Sequence, residues 1–270
     1  MILAYGLFAG VVAIAITWLI ERLGSRGGVL GTIPTTIVPA ALGFWAADQG
    51  TDAFRQAMWA APPGMLLNAL FLLMWRELPP RLPIQGARQR LAVMVLVTLA
   101  AWFAAALALV SLLAQFRASD SALAWFAFGA TAAMALLGTG ATWQRRQVFV
   151  AQGRVPWPAL LARGVLAALA VGGAIAWAAH LGPLMAGVLA IFPAIFLTAM
   201  VALWWQHGEV LPTGAAGPMM LGSTSVAAFA LVAAWSVPRL GPGWGVSVAW
   251  VAAVLSVTLP ARQYVAWRSP

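Results

Sequence analysis

The sequence predicts an all-α fold: a polytopic integral membrane bundle of about nine helices in a 4+1+4 arrangement, with an inverted internal repeat and proline-broken helices. Three observations lead there. Of the residues, 63% are hydrophobic and 8% charged, whereas an ordinary soluble domain carries about 25% charged residues. Apolar runs of roughly 18 residues or more recur along the chain, each long enough to cross about 30 Å of hydrocarbon. Finally, one apolar segment occurs twice, 159 positions apart, as Gly28-Val-Leu-Gly-Thr-Ile-Pro34 running on to Trp45 and Gly187-Val-Leu-Ala-Ile-Phe-Pro193 running on to Trp204. Without a gap, Gly28/Gly187, Val29/Val188, Leu30/Leu189, Pro34/Pro193, Ala40/Ala199 and Trp45/Trp204 coincide.

In chain order the expected spans are 2–20, 27–46, 56–75, 91–114, 121–142, 159–180, 184–206, 213–236 and 242–261. Residues Ile2 to Ile20 lack a positive leading region and a small-residue cleavage site, so they are read as a retained first helix. The turn into the second span rests on Arg22, Arg26, Gly24, Gly27 and Gly28, and each broken segment follows a corner, Arg22-Leu23-Gly24 or His180-Leu181-Gly182. The third span contains Pro62-Pro63-Gly64-Met65 and the eighth Gly217-Pro218-Met219-Met220, so both are expected to be interrupted there. The break between the sixth and seventh spans rests on His180, Gly182 and Pro183.

Arginine placement orients these spans. Arg55, Arg117 and Arg239 fall on one side and the other twelve arginines on the opposite side. The positive-inside rule makes the twelve cytoplasmic, with the N-terminus outside and the C-terminus inside, as in a bacterial inner membrane. Eleven of the fifteen tryptophans lie near span ends, as an interfacial belt requires, while Trp102, Trp125, Trp177 and Trp250 sit deeper. Spans 1–3 then correspond to spans 6–8, and spans 4 and 9 complete the units. Residues 1–115 form the first four-helix repeat, 116–157 a connector helix and cytoplasmic loop, and 158–270 the second repeat, upside down relative to the first. The linker with Asp48, Gln49 and Asp52 faces out, and its counterpart with His207 and Glu209 faces in.

The composition also excludes function classes. A net charge of +9 carried by arginines at helix ends does not indicate nucleic acid, and without cysteine there is no disulfide, thiolate metal site or cysteine nucleophile. No HExxH motif, Ser/His pairing or acidic metal cluster is present, so the sequence is not expected to be an enzyme, and no metal or cofactor is expected.

Paired, proline-interrupted helices in corresponding halves point to a transporter's binding site. A proline frees backbone polar groups, which in hydrocarbon require protein, water or a ligand as partner. Thr32, Pro34, Thr35 and Thr36 in the second span, Asn68 in the third, Pro193 and Thr198 in the seventh, and Ser223, Thr224 and Ser225 in the eighth are the candidate substrate-binding residues. Small hydroxyl residues also serve close helix packing in membranes, an alternative open for each of them. Glu21, Asp48, His207 and Glu209 are the candidates for coupling or gating. The expected function is secondary transport of a small polar neutral or anionic solute by alternating access between the repeats. A channel or facilitator with a fixed pore is the first alternative, and a non-transporting membrane subunit or scaffold the second. The expected partners are the lipid bilayer, a small-molecule or ion substrate and a second copy of the chain.

Overall fold

The computed structural model describes residues 2–23, 33–35, 37–47, 50–84, 86–143 and 157–268. Among them the fold is all-helical, without a strand. The helices are α1 (Ile2–Leu23), α2 (Ile37–Ala46), α3 (Thr51–Glu77), α4 (Ala87–Ala114), α5 (Asp120–Trp143), α6 (Trp157–Leu181), α7 (Pro183–Leu189), α8 (Ala194–His207), α9 (Val210–Ala253) and α10 (Leu259–Arg268). A 3-10 turn, Pro79–Arg81, precedes α4, and a π-helical turn, Val254–Thr258, joins α9 to α10. Among the described residues, five stretches are long and apolar enough to cross a membrane: Thr51–Glu77, Ala87–Ala114, Asp120–Trp143, Pro183–Trp205 and Pro212–Arg268. These helices are compatible with an integral membrane protein.

Two of the five are not single rods. Pro183–Trp205 breaks between α7 and α8. The 57 residues of Pro212–Arg268 far exceed one crossing. They turn at Gly241, whose φ of 77° is a conformation that glycine adopts without a Cβ clash. The two limbs pack back on each other there: the Ser236 hydroxyl donates to the Gly245 carbonyl at 2.8 Å, and a Cβ on Gly245 would lie 2.7 Å from the Val237 nitrogen.

Other expectations need correction. Pro62 and Pro63 lie inside a continuous α3 and Pro218 inside α9, so neither segment is interrupted at its prolines. Each proline forgoes one ladder hydrogen bond, but residues 57–65 are buried throughout, and packing on all sides holds the helix through the gap. Helix α3 begins at Thr51 rather than 56, and α4 at Ala87 rather than 91. Hydropathy passes over polar first turns, here those that carry Asp52 and Arg88.

Packing gives the helix directions. Gly6 of α1 faces Ala168 and Gly172 of α6, and Gly10 faces Gly164. Rising numbers on one helix meet falling numbers on the other, so α1 and α6 are antiparallel, their backbones close enough that a Cβ on Gly10 would stand 2.7 Å from the Gly164 oxygen. Helices α3 and α5 are parallel, joined at their starts by the Arg55–Asp120 ion pair and near their ends by Arg76, which donates to the Ala141 carbonyl at 2.8 Å. Helix α9 runs against α5, with Gly138 on Leu221 and Gly217 on Ala141 and Thr142. Among these long helices α3 is the most enclosed, packing against α4, α5, α7 and α9, whereas few residues of α4 and α5 are buried.

Candidate functional site

The site is built where α7 stops. Pro193 has no N–H to continue the ladder, and the chain passes Ala190 to Pro193 in tight turns. The Ile191 N–H reaches back only to the Val188 carbonyl at 3.3 Å and the Phe192 N–H to the Leu189 carbonyl at 3.0 Å. Helical bonding resumes with the Leu197 N–H on the Pro193 carbonyl at 2.8 Å.

The carbonyl of Ile191, within the break, is taken up from another helix. Asn68 Nδ2 donates to it at 2.8 Å, and Asn68 Oδ1 accepts from Trp102 Nε1 at the same distance. Asn68 and Trp102 are each 2% exposed. One buried amide thus ties α3 and α4 to the broken helix, and its second N–H points at the Met65 sulfur, 3.5 Å away. Phe192 closes the site from the other side, with its ring 5.4 Å from Trp102 and 5.7 Å from Phe103. The break is also in register with α3: Gly187 lies on Ala57, Gly64 on Ile191, and Trp75 against Trp204 at 5.9 Å.

Before α2, Ile33, Pro34 and Thr35 are non-helical, Pro34 is buried, and the helix starts at Ile37. The Thr35 N–H turns back to the Ile33 carbonyl at 2.8 Å, and its hydroxyl approaches the same oxygen only at 3.4 Å. Thr32, Thr36 and Asp48, and the Gly28-to-Gly31 end of the repeat, lie outside the described residues, as do the side chains of Glu21 and His207.

Of the sequence-predicted residues, the structure brings Asn68 and the Pro193 break together. It turns three of the hydroxyls onto their own helices. Thr198 donates to the Ala194 carbonyl at 2.9 Å, Ser223 to the Met220 carbonyl at 2.9 Å and Thr224 to the same oxygen at 3.3 Å. Ser225 is fully buried on the same stretch of α9. Glu209 is an ion-pair partner, held by Arg90. No group of three His, Asp or Glu side chains capable of holding a metal exists among the described residues.

Sequence reasoning missed Trp102 and Arg76. A tryptophan deep in a span carries an N–H that must find an acceptor, which was the available signal for Trp102. Arg76 is 4% exposed, and its guanidinium meets the last turn of α5 at Ala141 with Glu77 alongside, a favourable place for a cation at a helix C-terminus. Comparison of the chain with protein-family models, with curated proteins and with solved structures gave no match.

Proposed function

We propose that the chain is a secondary transporter that moves a small polar neutral or anionic solute by alternating access between two inverted four-helix units, with α5 as the lone connector. The observation that carries this reading is the antiparallel crossing of α1 and α6, the first helices of the two units, on their paired glycines. Two helices at equivalent places in an inverted repeat meet in that way about a pseudo-two-fold axis lying in the membrane plane. The contacts of α5 support it, since α5 leans on both α3 and α9, which hold the third place in each unit.

On this reading the membrane is crossed nine times. Helices α1 and α6, the segment ending in α2, and the two limbs about Gly241 add crossings to the long single helices. Arg55 and Arg117 share one end of the bundle, and Arg76, Arg81, Arg88 and Arg90 belong to the other. The positive-inside rule makes the second end cytoplasmic, in a bacterial inner membrane.

The two breaks have different work in this mechanism. The break at Pro193 is closed by Asn68 and acts as a fixed joint. Solute contacts fall to the first break, at Pro34 and Thr35 together with Thr32 and Thr36, where backbone carbonyls and hydroxyls suit a hydrogen-bonding ligand. The purified protein in liposomes, offered a panel of labelled amino acids, carboxylates and phosphate, is expected to show saturable uptake of one class and counterflow of the same class. Thr35→Ala with Thr36→Ala is expected to lower that uptake at least tenfold without a change in thermal stability. Conductance without saturation would replace this reading by a channel. Unchanged uptake in the double variant would move the site elsewhere.

A further inference from the structure

The two ends of the bundle are fastened differently. At one end, Asp120 at the start of α5 pairs with Arg55 and accepts from Trp59 Nε1 at 2.8 Å, while Gln56 donates to the Arg117 carbonyl at 3.3 Å. These contacts join α3 to its parallel neighbour α5. At the arginine-rich end Arg76 likewise joins α3 to α5, and a further fastening runs between helices farther apart in the chain. Arg90, in the first turn of α4, places Nη1 at 2.9 and 2.8 Å from the two carboxylate oxygens of Glu209, at the corner between α8 and α9. The same guanidinium is aimed by its own approach segment, with Nε donating to the Ile84 carbonyl at 2.9 Å. Two residues earlier, Arg88 stands 5.7 Å from the centre of the Trp205 ring, the last turn before that corner.

The corner itself is a narrow hinge. Gly208 has a φ of 71°, its N–H closes α8 on the Trp204 carbonyl at 2.8 Å, and Thr213 ties the Glu209 carbonyl to the first turn of α9 at 2.7 Å. Among the described residues, Arg90–Glu209 is the one ion pair that links the region before residue 115 to the region after 158. The other three lie between α3 and α5 or within the end of α3 and the turn that follows it.

We infer that Arg90–Glu209, with Arg88 on Trp205, is a latch that keeps the arginine-rich end of the bundle closed until the α8–α9 corner swings away from α4. Its purpose rests on the alternating-access reading, and its existence on the contacts between α4 and the α8–α9 corner. An exposed or half-exposed ion pair is worth little in fixed stability and is weakened by salt, which suits a contact that must break in each cycle.

The chain has no cysteine, so a single introduced thiol is a background-free reporter. Ala216 is fully buried on α9, two turns beyond Glu209. In the Ala216→Cys protein in nanodiscs, a membrane-impermeant maleimide is expected to react slowly at low salt and about fivefold faster in molar salt, where the pair is screened. Glu209→Gln and, independently, Arg90→Gln should each react at the faster rate at either salt concentration. Equal low-salt rates in the parent and both variants would overturn the latch, and so would an identical salt response in all three. The reaction needs no solute. A latch that opens as expected in a protein that carries out no uptake would refute the transport reading alone.

Discussion

Asn68→Ala is expected to lower stability by about 2–4 kcal/mol and to abolish any transport activity, because it strands two buried polar groups at once. The Trp102 N–H and the Ile191 carbonyl both lose their partner at 2.8 Å. Neither can turn to water, since Trp102 is 2% exposed and Ile191 is buried at 7%. Asn68→Asp should cost less at low pH than at high pH, because a protonated carboxyl can donate to the Ile191 carbonyl while accepting from Trp102, and a carboxylate cannot. Asn68→Ala with Trp102→Phe removes one of the two stranded groups, so part of the lost stability should return. The measurement is the midpoint of thermal aggregation in detergent for the three proteins. A single variant as stable as the parent would mean that the amide does not carry the joint.

Gly187→Ala is expected to be as damaging, roughly 3 kcal/mol or more, because its obstacle is backbone. A Cβ there would lie 2.9 Å from the Ala57 carbonyl carbon and 3.0 Å from its Cα, and closer still to the oxygen. No side-chain rotation relieves that, so α7 must move off α3 and carry the Ile191 carbonyl away from Asn68. Gly173→Ala is the matched control. Nothing lies within 4 Å of a Cβ at Gly173, in the middle of α6, so alanine should be neutral or raise stability by up to about 1 kcal/mol through helix propensity. The expected pattern is a midpoint roughly 5–10 °C lower for Gly187→Ala and unchanged or higher for Gly173→Ala. Equal midpoints would show that the α3–α7 contact is looser than its geometry.

These two residues show what was legible in the sequence. The helical, apolar character followed from composition, and the break at Pro193 from a proline inside an apolar run. Asn68 stood out as the amide well inside an expected span. What it bonds to was not legible, because Trp102 lies 34 residues away and Ile191 lies 123 residues away, and only tertiary packing joins them. In the sequence Gly187 marks the repeat, and its contact with Ala57 gives it a steric task of its own. Thr198 and Ser223 are candidate ligand contacts by sequence, but rotamer choice sends each to its own helix backbone, a common use of Ser and Thr in apolar helices. Pro62 and Pro63 misled for a related reason. The local rule that breaks a helix at proline yields to the burial that surrounds α3.

Sidedness of labelling reads out the proposed inversion of the two units. Asp52 and Val210 are exposed, in the first turns of α3 and α9, which hold the third place in the two units. In the naturally cysteine-free chain, Asp52→Cys and Val210→Cys can be labelled one at a time in sealed vesicles of known orientation. An impermeant thiol reagent should reach Asp52→Cys only from the outside and Val210→Cys only from the cytoplasmic side. Labelling of both from the same side would contradict the inversion and, with it, alternating access between the two units.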